Sequence, residues 1–295
     1  MKNVAIIFFM LFVFTLFSKA EAKPTIIAVI DTGFDFNSTW EDAEKMGLTK
    51  PKLCKFGHKD FTVEKEHKKL FEDTKKLMKK NKIIDSKDIE ELELLAYKNE
   101  KLRKKHLQDN HGHGTHVAGI IAKHLKNADY CLVIVKYYDP KIAGINNLKN
   151  TIESFKYARQ IKVDYINYSG GGLEPSSIEK AEILKLLNLG VKIFTASGNE
   201  GSDLSKKPYY PASYDPRIFV IGNRTKSGGK QIEANGEQIN IAKTSNYGNI
   251  VDSYEYGANI FSLGIDNGYI LMTGTSQAAP KALADEVLRN TDIKK

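Results

Sequence analysis

The chain has 295 residues, 41% hydrophobic and 27% charged, with 44 basic against 36 acidic side chains and a net charge of +8. This is enough apolar sequence for one large domain with a full core, and no internal repeat or low-complexity tail interrupts it. The basic excess is spread among lysines, without aromatic interleaving or a recognisable motif, so nucleic acid is excluded as an expected partner.

Met1-Lys2-Asn3 is a short basic start, and Val4 to Phe17 is almost wholly apolar. That run is shorter than the ~20 residues a spanning helix needs. Ala20-Glu21-Ala22 then offers an Ala-x-Ala cleavage site, so residues 1–22 read as a secretory signal peptide removed after Ala22, or alternatively after Ala20. The expected location is secreted or periplasmic/extracellular, with no stable membrane span after cleavage; an uncleaved N-terminal anchor is the alternative. Thr25 to Ile30 is a continuous β-branched run, as expected for a strand buried on both faces of a parallel sheet, and it ends in Asp31-Thr32-Gly33.

From Glu64 to His106 the chain is rich in Lys and Glu and free of Pro. Leu70, Phe71, Leu77 and Met78 make one helical stripe, and Ile89, Leu92, Leu95 and Leu102 make another, so two helices are expected as an insertion at about 64–107. Val117, Ala118, Ile120, Ile121 and Leu125 recur at helical spacing after His113. Strand-like runs at Tyr130 to Val135, Val163 to Tyr168 and Ile218 to Ile221 alternate with helical stretches at Ile152 to Ile161 and Ser177 to Leu189. The alternation predicts an α/β fold, a mostly parallel central sheet with helices on both faces. Cys54 and Cys131 are the only cysteines; export would permit a disulfide, while the apolar run around Cys131 equally suits a buried free thiol.

Three segments carry the chemistry: Asp31-Thr32-Gly33, His113-Gly114-Thr115-His116-Val117-Ala118-Gly119 and Gly274-Thr275-Ser276-Gln277-Ala278-Ala279-Pro280. They supply a carboxylate, an imidazole and a hydroxyl, the set that makes a serine attack an acyl carbon. Each alone has an ordinary reading. Asp31 would cap the turn after a strand, Ser276 would cap a helix, and His111, His113 and His116 together would hold a metal. A metal would compete for the lone pair that the base needs, so none is expected. Ala196-Ser197-Gly198-Asn199-Glu200-Gly201 is likewise an ordinary turn taken alone.

In this order the segments resemble the subtilisin-like serine proteases, the subtilases, over about residues 24–63 and 109–290. The resemblance implies a peptidase domain over 23–295, interrupted by the insertion, that hydrolyses peptide bonds as a serine-type endopeptidase through an acyl-enzyme. It implies Asp31, His113 and Ser276 as the triad and Asn199 as oxyanion donor, with the Ser276 N–H as the second donor. Ser169, Gly170, Gly171, Ala196, Ser197 and Gly198 are implied as substrate-binding residues. Gln277 stands where relatives usually carry Met. Gly170 stands where they carry a larger apolar residue, which implies a more open rim and weak selection four residues before the scissile bond.

Tyr209-Tyr210-Pro211-Ala212-Ser213 resembles the family's floor of the pocket for the residue before that bond, with Tyr210-Pro211 expected cis. The chemistry needs no cofactor, and structural calcium stays unassigned because no Asp-rich loop carries ligands over. The expected partner is a protein or peptide substrate. A separate inhibitor or chaperone is expected in place of the prodomain that many relatives carry, because no such segment fits between residue 22 and the first strand. Two alternatives stay open: a catalytically silent peptide-binding or inhibitory module, and a transpeptidase or cyclase using the same acyl-enzyme.

Overall fold

The computed structural model describes residues 23–55, 57–62, 105–142, 146–234 and 236–292. The expected signal peptide and nearly all of the expected insertion lie outside the described residues. Of the insertion's last residues, Leu107 is buried in the core.

Among the described residues, nine strands form one sheet: β1 (Thr25–Asp31), β2 (Lys59–Asp60), β3 (Tyr130–Lys136), β4 (Tyr165–Tyr168), β5 (Lys192–Ala196), β6 (Phe219–Arg224), β7 (Lys230–Ala234), β8 (Glu237–Ile241) and β9 (Ser253–Tyr256). Their order is β2-β3-β1-β4-β5-β6-β8-β7, with β9 also paired to β6. Every pair from β2 to β6 is parallel, and so is β6 with β9; β8 and β7 extend the edge antiparallel. A separate hairpin joins β10 (Ile260–Leu263) to β11 (Tyr269–Met272).

Among the described residues four helices cover the sheet: α1 (His113–His124), α2 (Asn147–Gln160), α3 (Ser177–Asn188) and α4 (Thr275–Asp292). Alternation along β1 sends Ile27 and Val29 into one core with α1 and α4, and Ala28 and Ile30 into another with α2 and α3. The expected α/β architecture with helices on both faces is therefore present. α2 starts five residues before the apolar periodicity because the Asn146 side chain accepts from Lys149 N at 2.9 Å, an N-cap that hydropathy alone does not reveal. The β7–β8 hairpin was not anticipated, although an Asn-Gly pair at 235–236 marks it in the sequence and Gly236 has φ +79°.

Cys54 and Cys131 form a disulfide, with Cα atoms 4.9 Å apart and a sequence separation of 77. Of the two readings of this pair, the bridge holds. Tyr210-Pro211 is cis, as expected from the resemblance.

Candidate active site

The strands of a parallel sheet end together, so β1, β4 and β5 deliver Asp31, Ser169 and Ala196–Asn199 to one edge. Asp31 is the last residue of β1 and 3% exposed. Its Oδ1 accepts from Thr32 N and from His113 Nδ1, both at 2.8 Å. That bond places the ring proton on Nδ1 and leaves Nε2 as the basic atom. Burial works against the charged imidazolium. The Asp31 carboxylate, by its charge and its hydrogen bond, and the charge of Asp109 outweigh burial and hold the His113 pKa above the ordinary 6.5.

His113 is the first residue of α1, and Gly114 lets that helix start against the 31–33 turn. A Cβ on Gly114 would lie 2.3 Å from Gly33 O and 3.2 Å from Asp31 Cβ. The helix start has a carboxylate that sequence reading missed. Asp109 is 1% exposed and accepts from Thr32 Oγ1, His111 N, Gly112 N, Thr115 N and Thr115 Oγ1 at 2.7–3.0 Å. It satisfies first-turn donors of α1 that would otherwise be orphaned and ties them to the turn carrying Asp31. Buried Lys136 holds the approach to Asp109, donating to His106 O, Gln108 O and Asp139 Oδ2.

The three histidines do not converge. His116 is fully buried, and its Nε2 donates to Ile260 O and Ile270 O, joining α1 to the β10–β11 hairpin. Burial lowers its pKa to about 4, the two carbonyl acceptors notwithstanding, so it stays neutral. His111 is exposed, its ring edge-on to His113 with centroids 6.1 Å apart. Among the described residues no group of three His, Cys, Asp or Glu side chains is arranged to hold a metal, and no calcium site is assigned.

Ser276 is the second residue of α4. Its hydroxyl donates to Ser169 O at 3.2 Å, and Ser169 Oγ donates back to Ser276 O at 3.0 Å. Pro280 explains the second bond: it has no N–H for the carbonyl four residues earlier, so Ser276 O is open to Ser169. Among the described residues no hydrogen bond joins Ser276 to His113. The hydroxyl rests on Ser169.

Asn199 is exposed, and its Oδ1 accepts from Thr275 N at 3.0 Å and Thr275 Oγ1 at 3.2 Å. A backbone N–H can only donate, so this bond fixes the amide and leaves Nδ2 free to donate beside Ser276. The loop holding Asn199 is built around buried Asn246, which accepts from Glu200 N and Ser202 N and donates to Ser197 O and Glu200 Oε2. Ser197 is fully buried: its hydroxyl donates to Asn246 O, its N–H donates to Ile221 O and its carbonyl accepts from Asn246 Nδ2. The rim at Gly170 is filled, contrary to the expectation of an open one. A Cβ there would lie 2.4 Å from the Tyr137 hydroxyl and 2.9 Å from the Tyr168 ring.

The model of the subtilase family matches residues 22–284. This chain is a subtilase. It is 32% identical to the minor extracellular protease Epr of Bacillus subtilis (strain 168) over 184 residues, 60% of this chain and 26% of that protein. It is 31% identical to subtilisin DY of Bacillus licheniformis over 179 residues, 58% of this chain and 61% of that one. The matched stretch thus spans less than two thirds of either relative. The crystal structure of a cold adapted subtilisin-like serine proteinase shares the fold, with TM-score 0.58 at 20% identity over 92% of this chain and 76% of that one. Among the described residues of this subtilase no helix is long and apolar enough to cross a membrane.

Proposed function

We infer that this subtilase is an exported serine endopeptidase acting on proteins or peptides. The observation that carries the reading is the 2.8 Å bond from His113 Nδ1 to the buried Asp31 carboxylate, which prepares Nε2 as a base at the edge where Ser276 lies. The Ser276 hydroxyl swings from Ser169 O to His113 Nε2 and gives up its proton as Oγ bonds to the peptide carbonyl carbon. The carbonyl oxygen takes the negative charge and receives hydrogen bonds from Asn199 Nδ2 and Ser276 N–H. The C–N bond then breaks and His113 protonates the leaving amine. Water, deprotonated by His113, attacks the acyl-enzyme, and the Ser276 oxygen leaves and recovers the proton. The triad needs no cofactor for this sequence, and a separate inhibitor or chaperone is part of the proposal.

A fluorophosphonate probe applied to the mature protein is expected to label Ser276, located by mass spectrometry, and to leave Ser276→Ala unlabelled. Well-folded protein that is not labelled would overturn the reading in favour of a binding module. Product masses distinguish hydrolysis from transfer to an amine, which would instead give ligated or cyclic peptides.

Asn199→Asp removes the oxyanion donor while its carboxylate keeps the acceptor that Thr275 uses, and the added negative charge opposes the oxyanion as well. We expect kcat to fall by at least about 10²–10³ with little change in KM, the size of effect that loss of such a donor has in other serine proteases. A fall below tenfold, measured on a fluorogenic peptide, would remove Asn199 from the oxyanion site.

A further inference from the structure

We propose that Tyr209 determines substrate choice, by filling the slot beside Ser276 so that only a small residue is accepted on the acyl side of the scissile bond. The proposal rests on the endopeptidase reading above and specifies its substrate class.

The position of the slot follows from the catalytic contacts. β4 and β5 are parallel neighbours, with Tyr168 opposite Thr195, so Ser169–Gly171 and Ala196–Asn199 leave the sheet side by side. Ser276 bonds the first segment through Ser169, and Thr275 bonds the second through Asn199. An acyl carbon within reach of Ser276 Oγ, with its oxygen toward Asn199 Nδ2, therefore sits at the mouth between the two segments. The side chain of that residue projects between them.

The Tyr209 ring occupies that space. A Cβ on Gly171 would lie 2.4 Å from Tyr209 Cε1 and 2.8 Å from its Cζ, and a Cβ on Gly198 would lie 3.1 Å from Tyr209 Cδ2. One ring thus lies against the bare α-carbons of both walls, and glycine on each side is what admits it. The backbone that carries the ring is anchored from behind. Gly172 and Tyr210 exchange both backbone hydrogen bonds at 2.8–2.9 Å, Tyr209 N donates to Ser213 Oγ, and Ser213 N donates to Tyr209 O. Burial pushes the Tyr209 pKa up to about 12, with the nearby Glu200 charge adding to it, so the ring stays neutral at physiological pH. A substrate side chain larger than Ala or Ser would have to displace an aromatic ring carried on a pinned backbone turn.

The test is cleavage-site profiling of the mature protein on a mixed peptide library, alongside Tyr209→Gly. We expect the native protein to cleave after Gly, Ala and Ser at least about tenfold better than after Phe, Tyr or Leu, in line with the discrimination that one or two methylenes supply in a closed pocket. Tyr209→Gly is expected to raise kcat/KM for cleavage after Phe by about 100-fold, with a much smaller change after Ala. A native profile dominated by large apolar residues overturns the proposal, and it stands independently of how well the variant folds. An unchanged profile in a variant whose Ser276 still takes the fluorophosphonate label also overturns it. Labelled, hydrolytic protein with the wrong profile defeats this inference alone. Protein that is neither labelled nor productive defeats the endopeptidase reading as well.

Discussion

Asp31→Asn is expected to lower kcat by about 10⁴, the magnitude that loss of the carboxylate has in other Ser-His-Asp proteases. Asp31 Oδ1 accepts the Nδ1 proton at 2.8 Å and so selects the tautomer whose Nε2 is basic. An amide in its place can donate to Nδ1 and stabilise the opposite tautomer, which offers Ser276 no base. The substitution also removes the charge that favours the imidazolium as the Ser276 proton is transferred. The pH profile gives an independent reading. His113 must be neutral to act as base, so kcat/KM rises as pH climbs through its pKa. In the native protein that rise is centred above 6.5, because Asp31 and the charge of Asp109 overcome burial. In Asp31→Asn the larger opposing influences are gone while burial remains, and the midpoint moves to lower pH. An unshifted midpoint, or a loss of activity below tenfold, would mean that Asp31 does not orient His113.

Loss of the Cys54–Cys131 bridge is expected to destabilise the fold by about 4–5 kcal/mol in the chain-entropy model, since it closes a loop of 77 residues. That loop contains His113, Asp109 and the segment that Lys136 grips, so the bridge constrains the stretch that carries the proposed base. The bridge also fastens the stretch before β2 to β3, where Cys54 N already donates to Leu132 O at 3.0 Å. Urea unfolding of the Cys54→Ala, Cys131→Ala double variant against the native protein measures the difference. A stability within 1 kcal/mol of native would show that the unfolded chain is already restricted without the bridge. Because β1 and α1 pack in the other core contacts as well, the folded variant should still take the fluorophosphonate label at Ser276.

Much of this protein was legible from local sequence. A β-branched run ending in Asp31-Thr32-Gly33 must be a buried strand delivering a carboxylate to a turn. Glycines flanking His113 and preceding Ser276 mark helix starts in close quarters. Such features depend on neighbours in the chain, and the alternation of apolar runs and helical stripes sufficed for the layered fold. The disulfide could not be decided in the same way, because an apolar strand suits a buried thiol as well as a bridged one.

What the chain order could not show are the contacts between residues far apart in it. Asp109 reaches Thr32 over 77 residues, Asn199 reaches Thr275 over 76, and Ser169 reaches Ser276 over 107. The filled rim at Gly170 and the ring between Gly171 and Gly198 belong to the same class. In the sequence a glycine registers only as missing bulk, which reads as open space. Whether that space is empty depends on which side chain the topology brings against it, and here it brings Tyr137 to one glycine and Tyr209 to the other two. The sequence by itself determined the layered fold, because periodicity is local, and it pointed to the proposed catalytic groups only through the resemblance that their order carries. Only the tertiary structure decided how those groups are held and which side chains fill the space beside the glycines, because packing volume is shared between distant segments.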